Sequence, residues 1–320
     1  MIFDFEMPSL EWRVCHIPKP KKPGEFRKIT IPNDELKAVQ RRILRFLYKT
    51  EGLRPSAFAH GFVPRRNTST GVARLNRKAE VIACMDVKDF FDNFPLEPIR
   101  NRMRSAGLPE SLIDKILQAC SYKGTIPQGG PCSPALTNIG MFETDLILGA
   151  YAKSRGYSYT RYADDLTFSK LPADVPVEKK PRGKTREFFY AVGKILEEKL
   201  GLHLKHSKDH VIHINSCQKR QVLGVVIRKD GLGYNAPRGL RRKARAMACN
   251  LARKLQEANG VPTKADYAEW SELVGYVRYF DNLRSYSDAE AAGADPMIQE
   301  RFWNYLESIF GKGGKECKKG

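Results

Sequence analysis

The sequence predicts an α+β fold, and three features of its 320 residues support that class. Two segments, 12–32 and 157–169, each place short apolar and β-branched stretches on either side of a turn, which is typical of β-hairpins. Other segments carry apolar residues at helical spacing. From position 236 onward the sequence becomes basic and helical. Hairpins in the first part and helices in the last indicate segregated strands and helices.

The first elements are predicted to be a hairpin and a basic helix. HIPKPKKPGEFRKITIP is interpreted as two strands joined by a basic loop around residues 19–24. Asp34 is the predicted N-cap of the helix that follows, ELKAVQRRILRFLYKT. The face opposite its apolar stripe carries four basic side chains: Lys37, Arg41, Arg42 and Arg45. That face fits a solvated surface and a nucleic-acid contact equally well.

The middle of the chain alternates loops, strands and helices. Its segments are predicted as a loop (HGFVPRRNTSTG), a buried strand ending in carboxylates (AEVIACMDVKDFF), a helix (ESLIDKILQACSY), a turn opening a helix (TIPQGGPCSPALTN) and a strand–turn–strand (YSYTRYADDLTFS). Residues 170–186 are rich in Pro and Lys without periodicity, which favours an exposed insertion.

The last part is predicted to divide near Gly233. Before that point come a helix (EFFYAVGKILEEKLG) and short strands (HVIHI and QVLGVVIRKDG). After it come two helices (RGLRRKARAMACNLARKLQEA and DYAEWSELVGYVRYFDNL), and the tail 311–320 is expected to be frayed. We therefore expect a strand-rich domain over 1–233 and a helical, basic domain over 234–320.

Charge and composition narrow the function class. The chain has 55 Lys plus Arg against 36 Asp plus Glu, a net charge of +19, which points to a polyanionic partner such as nucleic acid. A basic protein without such a partner remains the alternative. No apolar run is long enough to span a membrane, and the N-terminus lacks the positive start of a signal peptide. The scattered cysteines show no metal-ligand spacing, so we expect a soluble cytoplasmic protein in a reducing compartment.

Three carboxylates stand out as candidates for catalysis. Asp86 ends the apolar run VIACM, and a carboxylate there is costly unless it is hydrated, paired or bound to a metal. Asp164 and Asp165 are adjacent in a turn between two stretches rich in Tyr, Thr and Phe. If the two strands meet, the carboxylates share one small volume, repel one another and require hard cations such as Mg²⁺. That arrangement indicates two-metal phosphoryl transfer, whereas a polar turn is the alternative for the dipeptide taken alone.

An ordered series of motifs along the chain supports a catalytic role for these carboxylates. The string YTRYADDL at 159–166 resembles the YxDD motif of reverse transcriptases, in the form typical of bacterial ones. Other blocks resemble the family's remaining motifs in the same order: RKI with LKAVQRRIL, HGFVPRRNTS, DVKDFF (motif A), IPQGGPCSP (motif B), GLHLKHSKDHVI (motif D) and QVLGVVI (motif E). Together they cover roughly residues 12–230. The resemblance implies a right-hand polymerase fold with fingers, an antiparallel palm sheet and a helical thumb.

The resemblance also implies a role for each matching residue. Asp86, Asp164 and Asp165 are expected to bind two Mg²⁺ ions, with the Val87 carbonyl as an extra ligand. The nucleotide-contacting positions are Arg27 for the triphosphate, Phe91 as a steric gate against the 2′-hydroxyl, Gln128 for nucleotide and template, and Lys208 as a general acid. The alternatives are a salt-bridged surface role for Arg27, core packing for Phe91 and solvation for Lys208.

Two further sets of residues are expected to hold nucleic acid. Leu223 and Gly224 match the primer-grip turn of the family. In the thumb, a dense cationic cluster is expected to contact the phosphates of the template–primer duplex: Arg238, Arg241, Arg242, Lys243, Arg245, Arg253 and Lys254.

Among compact bacterial enzymes, the resemblance is strongest to the retron type. That type copies a dedicated structured non-coding RNA into a branched RNA–DNA hybrid, uses dNTPs, and often serves anti-phage defence with an effector protein. Two departures are present: 67–71 reads NTSTG where retrons commonly carry NAxxH, and 222–224 reads VLG where they carry VTG. A group II intron-like or other defence-associated reverse transcriptase therefore remains open. So does an RNA-binding scaffold with a vestigial polymerase site.

Overall fold

The computed structural model describes residues 3–19, 23–75, 79–170, 182–213, 219–228, 233–258 and 262–286, with the backbone alone for 182–186. The chain forms two compact units, Met1–His213 and Ile214–Gly320, each of which is described by itself. The predicted insertion at 170–186, part of the 19–24 loop and the 311–320 tail lie largely or wholly outside the described residues.

The first unit combines helices with antiparallel strands, which confirms the predicted α+β class. Its elements are β1 (Trp12–Pro18), β2 (Phe26–Pro32), α1 (Asp34–Lys49), α2 (Thr68–Arg74), β3 (Val81–Asp86), α3 (Glu97–Ser105), α4 (Glu110–Cys120), α5 (Ser133–Gly140), α6 (Phe142–Ser154), β4 (Tyr157–Tyr162), β5 (Asp165–Lys170), α7 (Arg182–Leu200) and β6 (His210–His213).

A four-stranded antiparallel sheet in the order β4-β5-β3-β6 forms the centre of this unit. β3 lies between two other strands, so its apolar run is buried, as the continuous hydrophobic stretch predicted. On the sheet, the Phe188 ring of α7 packs edge-on against Phe168 of β5, with centroids 5.0 Å apart. β1 and β2 form a separate hairpin, as predicted. β3 and β5 are the two central strands of this sheet, so the positions of their ends are fixed by strand pairing on both sides.

Two details of the helices differ from the sequence predictions. The N-cap of α1 is Asn33, not Asp34, because the Asn33 side chain accepts a hydrogen bond of 2.8 Å from the Leu36 amide. Asp34 instead lies in the first turn, where a carboxylate meets the positive end of the helix. The predicted loop HGFVPRRNTSTG ends early, since Asn67 and Thr70 form a capping box that starts α2 at Thr68.

The second unit has a small sheet and a helical pair. Its elements are β7 (Gln221–Val222), β8 (Val225–Ile227), β9 (Tyr234–Asn235), α8 (Arg238–Glu257) and α9 (Lys264–Ser285). Ala244 and Ala248 of α8 pack against Leu273 of α9, which the small alanine side chains permit at close range. The chain passes between the units after His213, so β7–β9 belong to the second unit. The predicted functional division near Gly233 stays a prediction.

Among the helices that the structure describes, none is both long enough and apolar enough to cross a membrane.

Candidate active site

The pairing of β3 with β5 brings the three predicted carboxylates together. In this antiparallel register Asp86 lies directly opposite Asp165. Asp164 occupies the turn between β4 and β5, and its carbonyl accepts a 3.0 Å hydrogen bond from the Val87 amide. The turn is closed by Ala163 with φ of +54°, a left-handed conformation that is uncommon outside glycine. The carboxylates therefore meet where the two central strands end.

Like charges directly opposite one another across two strands destabilise a sheet. Burial raises the pKa of Asp165 to about 6, and the neighbouring Asp164 and Asp86 contribute to that rise, while Lys208 and His210 oppose it. Burial also raises the pKa of Asp164, an effect that Asp86 adds to and that Lys208 and Arg27 counteract. The site thus holds negative charge at a cost in folding free energy, and cations relieve that cost.

Lys208 is one such cation. Its Nζ donates a hydrogen bond of 2.5 Å to Asp86 Oδ2, although the lysine side chain remains 54% exposed. Burial lowers the pKa of Lys208, but the hydrogen bond and charge of Asp86, with Asp164 and Asp165, outweigh it and raise the pKa overall. The loop that carries Lys208 is held to the site by the Lys205 amide, which donates to the Asp86 carbonyl at 2.7 Å.

The donor set suits a hard divalent cation. Carboxylate oxygens are the protein ligands that Mg²⁺ prefers, and three of them converge here with Asp86 only 6% exposed. Within the described ranges, no group of three or more His, Cys, Asp or Glu side chains has the arrangement of a ready-made metal site. In this arrangement the Asp86 carboxylate forms an ion pair with the Lys208 ammonium group.

The β1–β2 hairpin carries one predicted nucleotide-contacting residue, Arg27, and contacts the loop of a second, Gln128. Arg27 lies on β2, close enough to Asp164 to lower its pKa. Further along the same strand, the Thr30 amide donates to the Gln128 carbonyl at 2.8 Å. Gly129 follows with φ of +126°, and a Cβ there would lie 2.7 Å from the Thr30 carbonyl oxygen. Only glycine permits this close approach of the loop to β2.

Phe91 has features of both the predicted steric gate and the alternative, core packing. Its ring is half-buried, packs against the main core and meets Phe90 edge-on at 5.4 Å. The segment turns sharply at Asp89, which has φ of +46°. Part of the ring therefore contributes to packing, and part remains accessible.

A buried ion pair beneath the turn was not found by the sequence analysis. The side chains of Arg161 and Asp145 are both 0% exposed, and two hydrogen bonds of 2.8 Å join them. Ser56 and Tyr159 also donate to the Asp145 carboxylate, at 2.6 and 3.0 Å. The remaining arm of Arg161 donates to the Ala163 carbonyl at 3.2 Å. The one sequence signal was an arginine within an otherwise buried strand.

His60 lies beside this network, and its lowered pKa predicts that the free energy of unfolding depends on pH. Burial, aided by Arg66, Arg74 and Arg161, lowers the pKa of His60 from 6.5 to about 4. The unfolded chain binds this proton below pH 6.5 and the folded chain only near pH 4, so stability is lost as the pH falls through that window. We expect His60→Asn to remove about 2 kcal/mol of the stability difference between pH 7 and pH 5, measured by urea unfolding. An unchanged pH dependence in the variant would contradict this assignment.

In the second unit, the predicted primer-grip residues form a hairpin turn. Leu223 and Gly224 have φ of +50° and +81°, the conformation of a two-residue turn between β7 and β8. Tyr279 Oη of α9 donates to the Gly224 carbonyl at 3.3 Å, which ties the turn to the helix.

The cationic cluster of α8 divides into three groups. Lys243 and Lys254 form ion pairs with Glu272 and Glu269 of α9, so their charge is neutralised within the helical pair. Arg241 is half-buried. The other members are exposed and recur at helical spacing along one side of α8: Arg238, Arg242, Arg245 and Arg253. We call these four the arginine stripe.

Comparisons with known proteins agree with the motifs. Residues 17–227 match the family described as reverse transcriptase (RNA-dependent DNA polymerase). The chain is 34% identical to the Retron Mx162 reverse transcriptase of Myxococcus xanthus, over 72% of this chain and 51% of that protein. It is 30% identical to the Retron Ec86 reverse transcriptase of Escherichia coli, over 79% of this chain and 75% of that protein. The chain thus spans about half the length of the first relative and three quarters of the second.

A telomerase from Candida albicans, solved with a fragment of telomeric RNA, aligns over 92% of this chain and 57% of the other. The TM-score is 0.49 at 13% identity, a likeness too weak to bear on function.

Proposed function

Because the chain belongs to the reverse transcriptase (RNA-dependent DNA polymerase) family, we propose that it extends DNA on an RNA template by nucleotidyl transfer, and that it is of the retron type. The observation that carries the proposal is the register that sets Asp86 opposite Asp165, with Asp164 in the adjoining turn. Such a cluster of like charges lowers the stability of the fold. In an enzyme of phosphoryl transfer it serves to bind the cations that neutralise the reacting phosphates.

In this proposal the cofactor is Mg²⁺, held as two ions by Asp86, Asp164, Asp165 and the Val87 carbonyl. Bound there, Mg²⁺ supplies activation of the primer 3′-hydroxyl and neutralisation of the leaving pyrophosphate. Lys208 holds a proton beside the same carboxylates, so it is placed to pass that proton to the pyrophosphate. Arg27 offers its guanidinium to the triphosphate of the incoming dNTP. The Gln128 loop, docked on β2, orients nucleotide and template.

Phe91 is proposed to exclude ribonucleotides by steric clash with the 2′-hydroxyl. We expect Phe91→Ala to lower the preference for dNTP over rNTP by at least about tenfold, because the ring supplies a clash and no attraction. Single-nucleotide incorporation with each substrate measures the ratio. Phe91→Tyr keeps the ring and serves as the control. If Phe91→Ala loses thermal stability while the ratio is unchanged, Phe91 has a packing role alone.

The arginine stripe is proposed to bind the phosphates of the template–primer duplex. We expect the triple change Arg242→Gln, Arg245→Gln and Arg253→Gln to weaken duplex binding and to flatten its dependence on salt, by about 0.7–0.9 log units for each phosphate that is no longer neutralised. Fluorescence anisotropy at several salt concentrations measures the slope. Lys243→Gln with Lys254→Gln is the matched control, since both lysines are paired with α9. Equal slopes for the two variants would place the duplex elsewhere.

The retron assignment is supported by the relatives, and it specifies the partners. The template is then a structured non-coding RNA, the product is its branched cDNA, and a defence effector protein is a further partner in the cytoplasm. Isolation from the native host, followed by sequencing of the bound nucleic acid before and after RNase and debranching treatment, tests it. One dominant RNA joined to a short DNA is expected. A heterogeneous RNA pool without attached DNA would favour another compact bacterial reverse transcriptase.

A further inference from the structure

The turn over residues 205–209 is held to the central sheet at both of its ends. At its start, the Lys205 amide donates to the Asp86 carbonyl at 2.7 Å. Directly after it, His210 of β6 pairs with Cys84 of β3. Because both ends are fixed, the shape of the turn between them decides where its side chains lie, and the lysine that bonds to Asp86 is one of them.

Two side chains of this turn, those of His206 and Asp209, form a hydrogen bond. The ring Nδ1 of His206 lies 2.9 Å from Asp209 Oδ2, and since an ionised carboxylate can only accept, the ring nitrogen donates. The two side chains differ in burial, because that of His206 is 75% exposed and that of Asp209 is only 7% exposed. A surface imidazole therefore supplies a donor to a carboxylate that is largely withdrawn from water.

The Asp209 carboxylate has little other compensation for its burial. Its Oδ1 is buried and has no hydrogen-bond partner among the residues that the structure describes. A buried carboxylate that loses a donor is costly, so without the histidine N–H the turn lowers its free energy by opening until water reaches the carboxylate. Asp209 directly follows Lys208, so such an opening displaces the backbone that carries the lysine.

Building on the proposed function, in which Lys208 passes a proton to the pyrophosphate, we infer that His206 is a positioning residue for that lysine. Its hydrogen bond to Asp209 keeps the turn closed, and the closed turn holds the lysine ammonium at Asp86. The Lys208 side chain is 54% exposed and has a flexible four-carbon stem, so its backbone places it more than packing does. His206 thus acts on the reaction through Asp209 and Lys208.

The test compares His206→Phe and His206→Asn with the wild type. Phenylalanine keeps a flat ring without an N–H, whereas asparagine offers an amide donor near the position of the ring Nδ1. His203→Phe is the matched control, because His203 is also exposed and its ring faces Glu197 of α7 instead, at 4.0 Å. Each change is also made in a Lys208→Met background. Single-turnover incorporation of a dNTP on a primed RNA template, at several dNTP concentrations, gives the maximal rate and the apparent dNTP affinity, and thermal unfolding shows whether each fold is intact.

We expect His206→Phe to lower the maximal rate about five- to twentyfold and to leave the dNTP affinity unchanged, because a general acid acts in the transition state. His206→Asn should stay within about twofold of the wild type, and His203→Phe should match it. In the Lys208→Met background, His206→Phe should cause no further loss, since the lysine through which it acts is already absent.

A wild-type rate in His206→Phe would overturn the inference. So would equal losses in the phenylalanine and asparagine variants, which would show that the hydrogen bond is not what matters. A loss of the same size in both backgrounds would also overturn it, because His206 would then act independently of Lys208. A Lys208→Met variant as fast as the wild type would remove the role of the lysine and the inference with it. Failure of the wild-type protein to incorporate a dNTP would instead count against the proposed function.

Discussion

Asp165→Asn is expected to abolish DNA synthesis, with a loss of more than about a thousandfold, while binding of RNA changes little. The carboxylate lies opposite Asp86, and its charge is needed most where the transferred phosphoryl group and the primer hydroxyl react. Primer extension with a labelled dNTP measures the rate, and filter binding measures RNA affinity. Extension at the wild-type rate would contradict the proposed role of the carboxylates. An inactive wild-type protein that binds RNA would indicate a scaffold with a vestigial site.

The same substitution should stabilise the protein in the absence of divalent metal. Because the pKa of Asp165 is raised to about 6, the folded chain binds a proton that the unfolded chain releases near pH 3.8. Above that window the ionised carboxylate therefore destabilises the fold, and its removal should raise the free energy of unfolding by about 3 kcal/mol at pH 7. Urea unfolding in EDTA tests this, with Glu143→Gln as an exposed control. A lower stability in Asp165→Asn would show that the carboxylates do not strain the fold.

Arg161→Met is expected to lower the free energy of unfolding by about 3–5 kcal/mol, because it leaves the Asp145 carboxylate buried without its counter-charge. The double variant Arg161→Met with Asp145→Leu removes both charges and should recover much of that loss. Denaturant unfolding of the single and double variants gives the coupling energy. A double variant as unstable as the sum of the two single variants would mean that the pair contributes through packing alone.

The activity of these variants distinguishes an effect of Arg161 on folding stability from an effect on the position of the catalytic turn. The Ala163 carbonyl loses its donor in Arg161→Met and in the double variant alike. We therefore expect DNA synthesis to stay low in the double variant even where stability has returned, since Asp164 follows that carbonyl directly. Recovery of activity together with stability would show that Arg161 has no positioning role.

Much of this protein could be predicted from local sequence. The hairpins, the amphipathic helices and the order of the motifs are short-range patterns, so the α+β class and the family followed from them. Asp86 was conspicuous because a charge that ends an apolar run is costly wherever the chain folds. The error at the cap of α1 was also local, since Asn33 and Asp34 are both good capping residues and only the hydrogen bond to Leu36 chooses between them.

What only the tertiary structure decided depends on pairings between distant segments. The register of β3 against β5 sets Asp86 opposite Asp165, and no local pattern specifies a register. Lys208 reaches Asp86 across 122 positions of sequence, and Asp145 pairs with Arg161 across 16. On α8, the contacts with α9 decide which basic side chains are neutralised and which remain exposed. In each case burial and the charge of a neighbouring side chain decide whether the residue is paired, strained or exposed. Both arise only when the chain is folded.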